Sequence, residues 1–446
     1  MANERFSSKE HNLEILLFYN ITIRFFYFFF ASNGPFANIN LSYKTDIVFE
    51  GFTLIGGGYS GSFNGGLVSV TYSGFSGSPN LEFVNTTISG ASVKSNGGCI
   101  YSDGMVVSVI NSTIFNCMAQ NNGGAIATAE GVTQIYTPLL YVNNSTFYYN
   151  SAASSAGALY VSTFISIQNS TFYRNIATHN GNGGAIYFNG QMSSIVGTTF
   201  IQNSVLGMGS GGSIYADNMV LQDCQFSSDN AYFGGSIYSI SSLVVSSCSF
   251  VGSSADLYGG AILANGNVNI NNTFFNGATA NSGGAIYTQN AGSTNMIEDS
   301  QFFNNVQVVQ FRQTSSFFLS GTLFNANSAT IQGGAMYFSG GGYPKMFYGG
   351  KFISNSNLMN PTYNTFNTDM IKNVNTVNIS VDILISPTLY SVPLVTDDSL
   401  VYPVAYGVLG DCFNGIATIS TGGQVTSCQC FPNYSESDPL GYPDLC

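Results

Sequence analysis

Hydrolysis of a glycosidic bond requires two carboxylates facing each other across that bond, one as acid and the other as base or nucleophile. Elimination from an acidic polysaccharide instead requires a basic residue, often beside Ca²⁺ held by several carboxylates. In the central part of this chain the acids are Glu82, Asp103, Glu130, Asp217, Asp223, Asp229, Asp256, Glu298 and Asp299. Asp223 or Asp229 is spaced from Asp256 so that a repeating fold could make them neighbours, although solvated turn positions account better for all of these acids. Arg174 and Arg312 are the arginines of this region, and neither has an acid beside it in sequence. His11 and His179 are the only histidines, and they stand in no nucleophile or metal-ligand pattern. Glycine pairs are frequent, but they lack the Lys and the following helix of a phosphate-binding loop. The residues that could do chemistry therefore predict no catalytic, cofactor-binding or metal site.

Composition narrows the class. Charged residues make up 7% of the 446, with 10 basic against 22 acidic and a formal charge of −12. That balance repels phosphate backbones and anionic headgroups, so nucleic acid is not an expected partner. The chain is too apolar for disorder, and too poor in charged helix formers to dress many amphipathic helices. A β-rich protein with Ser, Thr, Asn and Gly on its outside fits. Asn-X-Ser/Thr sequons fall at Asn20, Asn40, Asn85, Asn111, Asn143, Asn144, Asn169, Asn271, Asn378 and Asn433, and with 8 cysteines they favour a secretory route. Residues 1–31 include the apolar run Ile15 to Ala31, which reads either as a signal or anchor segment or as a first strand. Asn20 and Arg24 within it, and Glu4, Glu10 and Glu14 before it, depart from an ordinary signal.

The decisive feature is a repeat. A unit of two glycines, a small residue, an aliphatic residue and often Tyr recurs at Gly97-Gly98, Gly123-Gly124, Ala156-Gly157, Gly183-Gly184, Gly211-Gly212, Gly234-Gly235, Gly259-Gly260, Gly283-Gly284 and Gly333-Gly334. The spacing is near 26 residues, and the final interval of 50 spans a coil around Val306 to Phe318 that has lost the signature. A Phe followed three residues later by Asn precedes most units, at Phe147/Asn150, Phe172/Asn175, Phe200/Asn203, Phe302/Asn305, Phe324/Asn327 and Phe352/Asn355. Phe115, Phe226, Phe250 and Phe274 keep the aromatic without the Asn. Gly, Asn and Ser interrupt every stretch before two helical turns are complete, whereas runs such as Val106 to Ile110 read as strands. Periods of this length announce solenoids. Stacking one coil per period puts equivalent residues about 4.8 Å apart, so about ten coils make a rod roughly 50 Å long. In that geometry the glycine pairs form crowded corners, the Phe side chains stack inside, and the Asn residues form a ladder of side-chain bonds.

The pairing of GGAI with FxxN resembles the repeat of chlamydial polymorphic outer-membrane proteins and of pectin-lyase-like β-helix surface proteins. The likeness covers Phe83 to Asn355. It implies an all-β, right-handed parallel β-helix exposed at a cell surface, with irregular first coils. A C-terminal outer-membrane barrel is not expected, which sets the chain apart from the bacterial proteins. Residues 32–355 are expected to form the β-helix, 356–410 a cap or linker, and 411–446 a Cys-rich tail that loosely resembles part of an EGF-like module.

Cys224 and Cys248 occupy matching places before a Phe, one period apart, and stacking predicts a disulfide between them. Cys99, in the small-residue slot, and Cys117 do not share a register, so a bridge there is less secure. Cys412, Cys428, Cys430 and Cys446 form a separate group of disulfide candidates. The expected function is a secreted or surface-displayed structural or adhesive ectodomain that meets glycans or surface proteins through its side faces. Membrane attachment is expected only through an N-terminal anchor or a further segment. The alternative is a carbohydrate-active enzyme of the pectin-lyase-like fold, degenerate at its active site. Tyr at the end of many glycine units points either outward, as a sugar-stacking stripe, or inward as core.

Overall fold

The computed structural model describes residues 35–56, 63–74, 77–129, 140–190, 193–289, 293–306 and 317–329 in full, with further short strands traced by their backbone. Among the described residues there is no helix, and every regular element is a strand. The chain is a right-handed parallel β-helix of about nine turns, close to the ten expected from the repeat. It divides into two units, Met1–Asn218 and Met219–Cys446.

Each coil contains four short strands. In the first unit one coil runs Ile100–Asp103, Val106–Ile110, Thr113–Phe115 and Met118–Ala119. Its successor, Ile126–Ala129, Leu140–Asn143, Thr146–Tyr148 and Ser151–Ala152, pairs with it in parallel with Ile100 beside Ile126 and Ile114 beside Phe147. The second unit repeats the plan, as in Ile237–Ser239, Leu243–Ser246, Ser249–Val251 and Ser254–Tyr258. Side chains alternate, so the aliphatic residue after each glycine pair turns inward. Ile100, Ile126, Leu159, Ile186 and Ile214 are all fully buried. The Phe column stacks as expected, with ring centroids 5.0 and 5.1 Å apart along Phe147, Phe172 and Phe200. In the second unit the column runs Phe226, Phe250, Phe275, Phe302 and Phe324 at 4.6–4.9 Å.

Phe275 occupies that column rather than Phe274, and Ile114 rather than Phe115; both aromatics singled out in the sequence face outward. A strand has period two, so a displacement of one residue carries a side chain to the opposite face. The corners explain the glycines. Gly97 has φ +66°, and a Cβ on Gly98 would lie 2.0 Å from the carbonyl oxygen of Gly124 in the next coil. The coil without the signature keeps its place, because Val309–Arg312 pairs with Ile286–Thr288 on one side and Met336–Ser339 on the other. Gly333 and Gly334 lie outside the described residues.

At the ends, Phe28–Ala31 pairs in parallel with Thr53–Gly56, beside the first coils. Within the expected cap, Ile371–Asn373 pairs with Met336–Ser339, and Asp382–Ile385 with Pro344–Ile353, so these strands continue the parallel ladders. In the expected tail, Gly415–Ile419 and Val425–Cys430 form an antiparallel pair that carries Cys428 and Cys430. Cys412 and Cys446 lie outside the described residues.

Candidate functional site

The side faces depend on two turns in each coil, and both turns follow one rule. Between the second and third strands a residue enters the left-handed region, and the next side chain points inward. The left-handed residues are Asn85, Asn111, Asn144 and Asn169 in the first unit, with φ from 48° to 52°. The inward neighbours Thr86, Ser112, Ser145 and Ser170 form a hydroxyl ladder. Thr86 N donates to Ser112 Oγ at 3.0 Å, Ser112 N to Ser145 Oγ at 3.1 Å and Ser145 N to Ser170 Oγ at 3.1 Å. Each serine hydroxyl in turn donates to a carbonyl two residues back, at 2.7–2.8 Å. Asn suits the left-handed position and Ser/Thr the ladder, so turn chemistry alone writes Asn-Ser-Thr at this corner. Four sequons thus have a folding reason, and their Asn side chains are exposed. Asn271 is half-buried, while Asn378 and Asn433 lie outside the described residues.

The same rule corrects the disulfide expectation. Cys224 and Cys248 are both buried and unbridged. They occupy the hydroxyl ladder of the second unit: Cys224 N donates to Cys248 Sγ at 3.3 Å, and each thiol donates to a carbonyl two residues back at 3.2 Å. Side chains in one column leave their strands in parallel rather than converging, so adjacency in the stack does not bring two sulfurs into bonding geometry. A hydrogen bond to the Cys224 sulfur, followed by burial, pushes the Cys248 thiol far above its ordinary range. The bridge that does form is Cys99–Cys117, with Cα atoms 5.5 Å apart. Cys117 occupies the inward position of the second turn and faces the small-residue slot across the interior. Asn203 and Ser213 meet in a similar way, Nδ2 to Oγ at 3.1 Å.

At the second turn, between the third and fourth strands, the inward residues are the predicted Asn ladder. Asn150 N donates to Asn175 Oδ1 at 3.2 Å, and Asn175 N to Asn203 Oδ1 at 3.0 Å. Asn175 Nδ2 returns to the Phe147 carbonyl at 2.9 Å. In the second unit Asn305 N donates to Asn327 Oδ1 at 2.9 Å.

The acids do not assemble. Asp223 is exposed at a left-handed turn position, Asp256 is exposed on a fourth strand, and Asp229 is fully buried, accepting from Ser236 Oγ at 3.1 Å. Glu82, Asp103, Asp217 and Glu298 are half-buried, Asp299 is exposed, and Glu130 and His11 lie outside the described residues. His179 is exposed, with Nδ1 2.9 Å from Thr178 Oγ1. Among the described residues no three His, Cys, Asp or Glu side chains gather.

Tyr101, Tyr160, Tyr187, Tyr215 and Tyr238, after glycine pairs, are half-buried and face outward, whereas Tyr287 is fully buried. Tyr160, Tyr187 and Tyr215 stack nearly parallel at 4.9 and 5.1 Å, which hides the ring faces that a sugar would need. Burial raises the Tyr187 phenol, with a smaller contribution from Tyr160.

A different cluster, whose members lie about one period apart in the sequence, stands on the second turn of the first unit. In three successive coils the left-handed residue is Tyr149, Arg174 and Gln202, with φ of 54°, 50° and 52°. The same place is left-handed in the other described coils too, with glycine at Gly90, Gly252 and Gly277 and with Asn116, Ser228, Asn304 and Ala326 elsewhere. Arg174 Nε donates to Gln202 Oε1 at 2.7 Å and its Nη1 to the Tyr149 hydroxyl at 3.1 Å. The guanidinium lies 5.0 Å from the centre of the Tyr173 ring and 5.9 Å from that of Tyr149. A hydrogen bond with Tyr173, then one with Arg174, lowers the Tyr149 phenol, while the Tyr149 bond raises Tyr173. Tyr148 stacks on Phe115 at 4.6 Å beside this group. Tyr149 and Met118 are 45% and 49% exposed, which leaves an aromatic and cationic patch open to solvent.

No family model, curated protein or solved structure matches this chain.

Proposed function

We propose that this chain is a non-catalytic binding ectodomain, secreted or displayed at a cell surface, whose β-helix holds turn side chains out toward glycans. The observation that carries the reading is the exposed cluster of Tyr149, Arg174 and Gln202 on one turn column, with the guanidinium held by the neutral Gln202 and Tyr149 side chains. The GGAI and FxxN resemblance to polymorphic outer-membrane repeats and β-helix surface proteins supports a surface role. The buried Cys99–Cys117 bridge supports an oxidising compartment.

The test is to apply the purified chain to an array of neutral and acidic glycans, and to follow the size of polysaccharides incubated with it. Retention of glycans with no shortening of polymer is the expected result. Shortened polymer would replace this reading with a carbohydrate-active enzyme. A blank array would remove glycans as partners.

A further inference from the structure

We infer that Arg174, Tyr149, Tyr173 and Gln202 form a seat for the single carboxylate of an otherwise neutral oligosaccharide. This inference rests on the glycan-binding reading above and adds the charge of the ligand and the place where it sits. A guanidinium carries five N–H donors in a planar fork that matches a carboxylate. Two of the Arg174 donors are held by Gln202 and Tyr149, which fix the plane of the group and leave the others for a ligand. Among the described residues no carboxylate pairs with Arg174. Its position is therefore set by neutral partners, and its charge stays unneutralised beside solvent.

The surroundings suit a sugar. Tyr149 offers an exposed ring and a polarised hydroxyl, and the Gln202 amide keeps its donor side for sugar hydroxyls. The rest of the molecule sets a limit on ligand charge. A formal charge of −12 repels polyanions, and Arg174 is the single cation in the cluster. A chain with sulfate or carboxylate on every sugar would gain one ion pair and meet the repulsion of the whole protein. An oligosaccharide with one acidic sugar gains the ion pair without that cost.

Titration of the full chain with sialyllactose, lactose and heparin, by calorimetry or ligand-observed NMR, tests the inference. Sialyllactose is expected to bind, and lactose about tenfold or more weaker, the loss that follows when a hydrogen-bonded charge is removed. Arg174→Gln should reduce sialyllactose binding to the lactose level. Arg174→Gly should do the same while the fold stands, since glycine already occupies this turn at Gly252 and Gly277. Arg174→Lys should recover only part of the affinity, because it keeps the charge and loses the fork. Unchanged binding in the Gln and Gly variants, equal binding of lactose, or a preference for heparin would each overturn the inference while leaving the glycan-binding reading in place. Binding to none of these probes, together with a blank array, would overturn both.

Discussion

Tyr149, Arg174 and Gln202 each hold a backbone conformation that a Cβ disfavours by about 1–2 kcal/mol. Replacing Arg174 by glycine should therefore raise the chain's stability by about 1 kcal/mol in a denaturant titration, while Asn150→Ala in the adjoining ladder should lower it. The two cysteines of the hydroxyl ladder give a second prediction. Cys224→Ser keeps a donor and acceptor of the same reach and should cost less than about 1 kcal/mol, whereas loss of a structural disulfide costs about 2–5 kcal/mol. Alkylation should find neither thiol until the protein unfolds. The Cys248 thiol is raised in the folded state, so its contribution is complete below the unfolded thiol value of about 8.5. Above that value the unfolded chain releases a proton that the folded chain retains, and stability should fall as pH rises. Cys248→Ser should flatten that slope, which urea midpoints at neutral and alkaline pH would read directly.

At the scale of elements, positions that keep one residue type from coil to coil were legible in the sequence, and turn positions whose residue varies were not. The period, the inward Phe column and the Asn ladder follow from FxxN and GGAI, because stacking makes each coil select the same residue at the same place. Phe115 and Phe274 misled by one position, since a neighbouring Ile114 or Phe275 can fill the inward site and only the strand phase decides between them. The hydroxyl ladder was hidden inside the sequons: Asn111-Ser112-Thr113 reads as a glycan acceptor although each residue has a turn or strand reason to be there. The Arg174 patch was invisible as a group because its members are a period apart. Its members come together only when the second turns of three successive coils are aligned. The ladders also make a sharp prediction. Asn175→Ala removes the acceptor for Asn150 N and Nδ2 and one donor to Phe147 O, so a buried backbone N–H loses its partner and the side-chain ladder is cut. The expected cost is about 2–5 kcal/mol, close to the about 3–5 kcal/mol expected for Phe172→Ala in the core, and thermal melts of the two variants would compare them.

Within each unit the described coils behave as a sum of repeats, each in contact with the coils before and after it. Excision of one full period should therefore preserve each ladder, whereas excision of part of a period should break them all. Thr146 and Thr171 are register partners, so deleting residues 146–170 joins Ser145 to Thr171 at equivalent points of the coil. That deletion should give a soluble chain with an unchanged strand signature in circular dichroism. A cut of the same chain from 146 to 155 should not fold. On this scaffold a turn residue is held from above and below without being needed for the fold, which is what lets Tyr149, Arg174 and Gln202 serve as a binding surface. The most direct test is glycan-array binding by a chain in which all three are glycine, beside the wild type. The account predicts a folded, slightly more stable protein whose array signal is lost; a variant that folds and keeps the wild-type signal would contradict it.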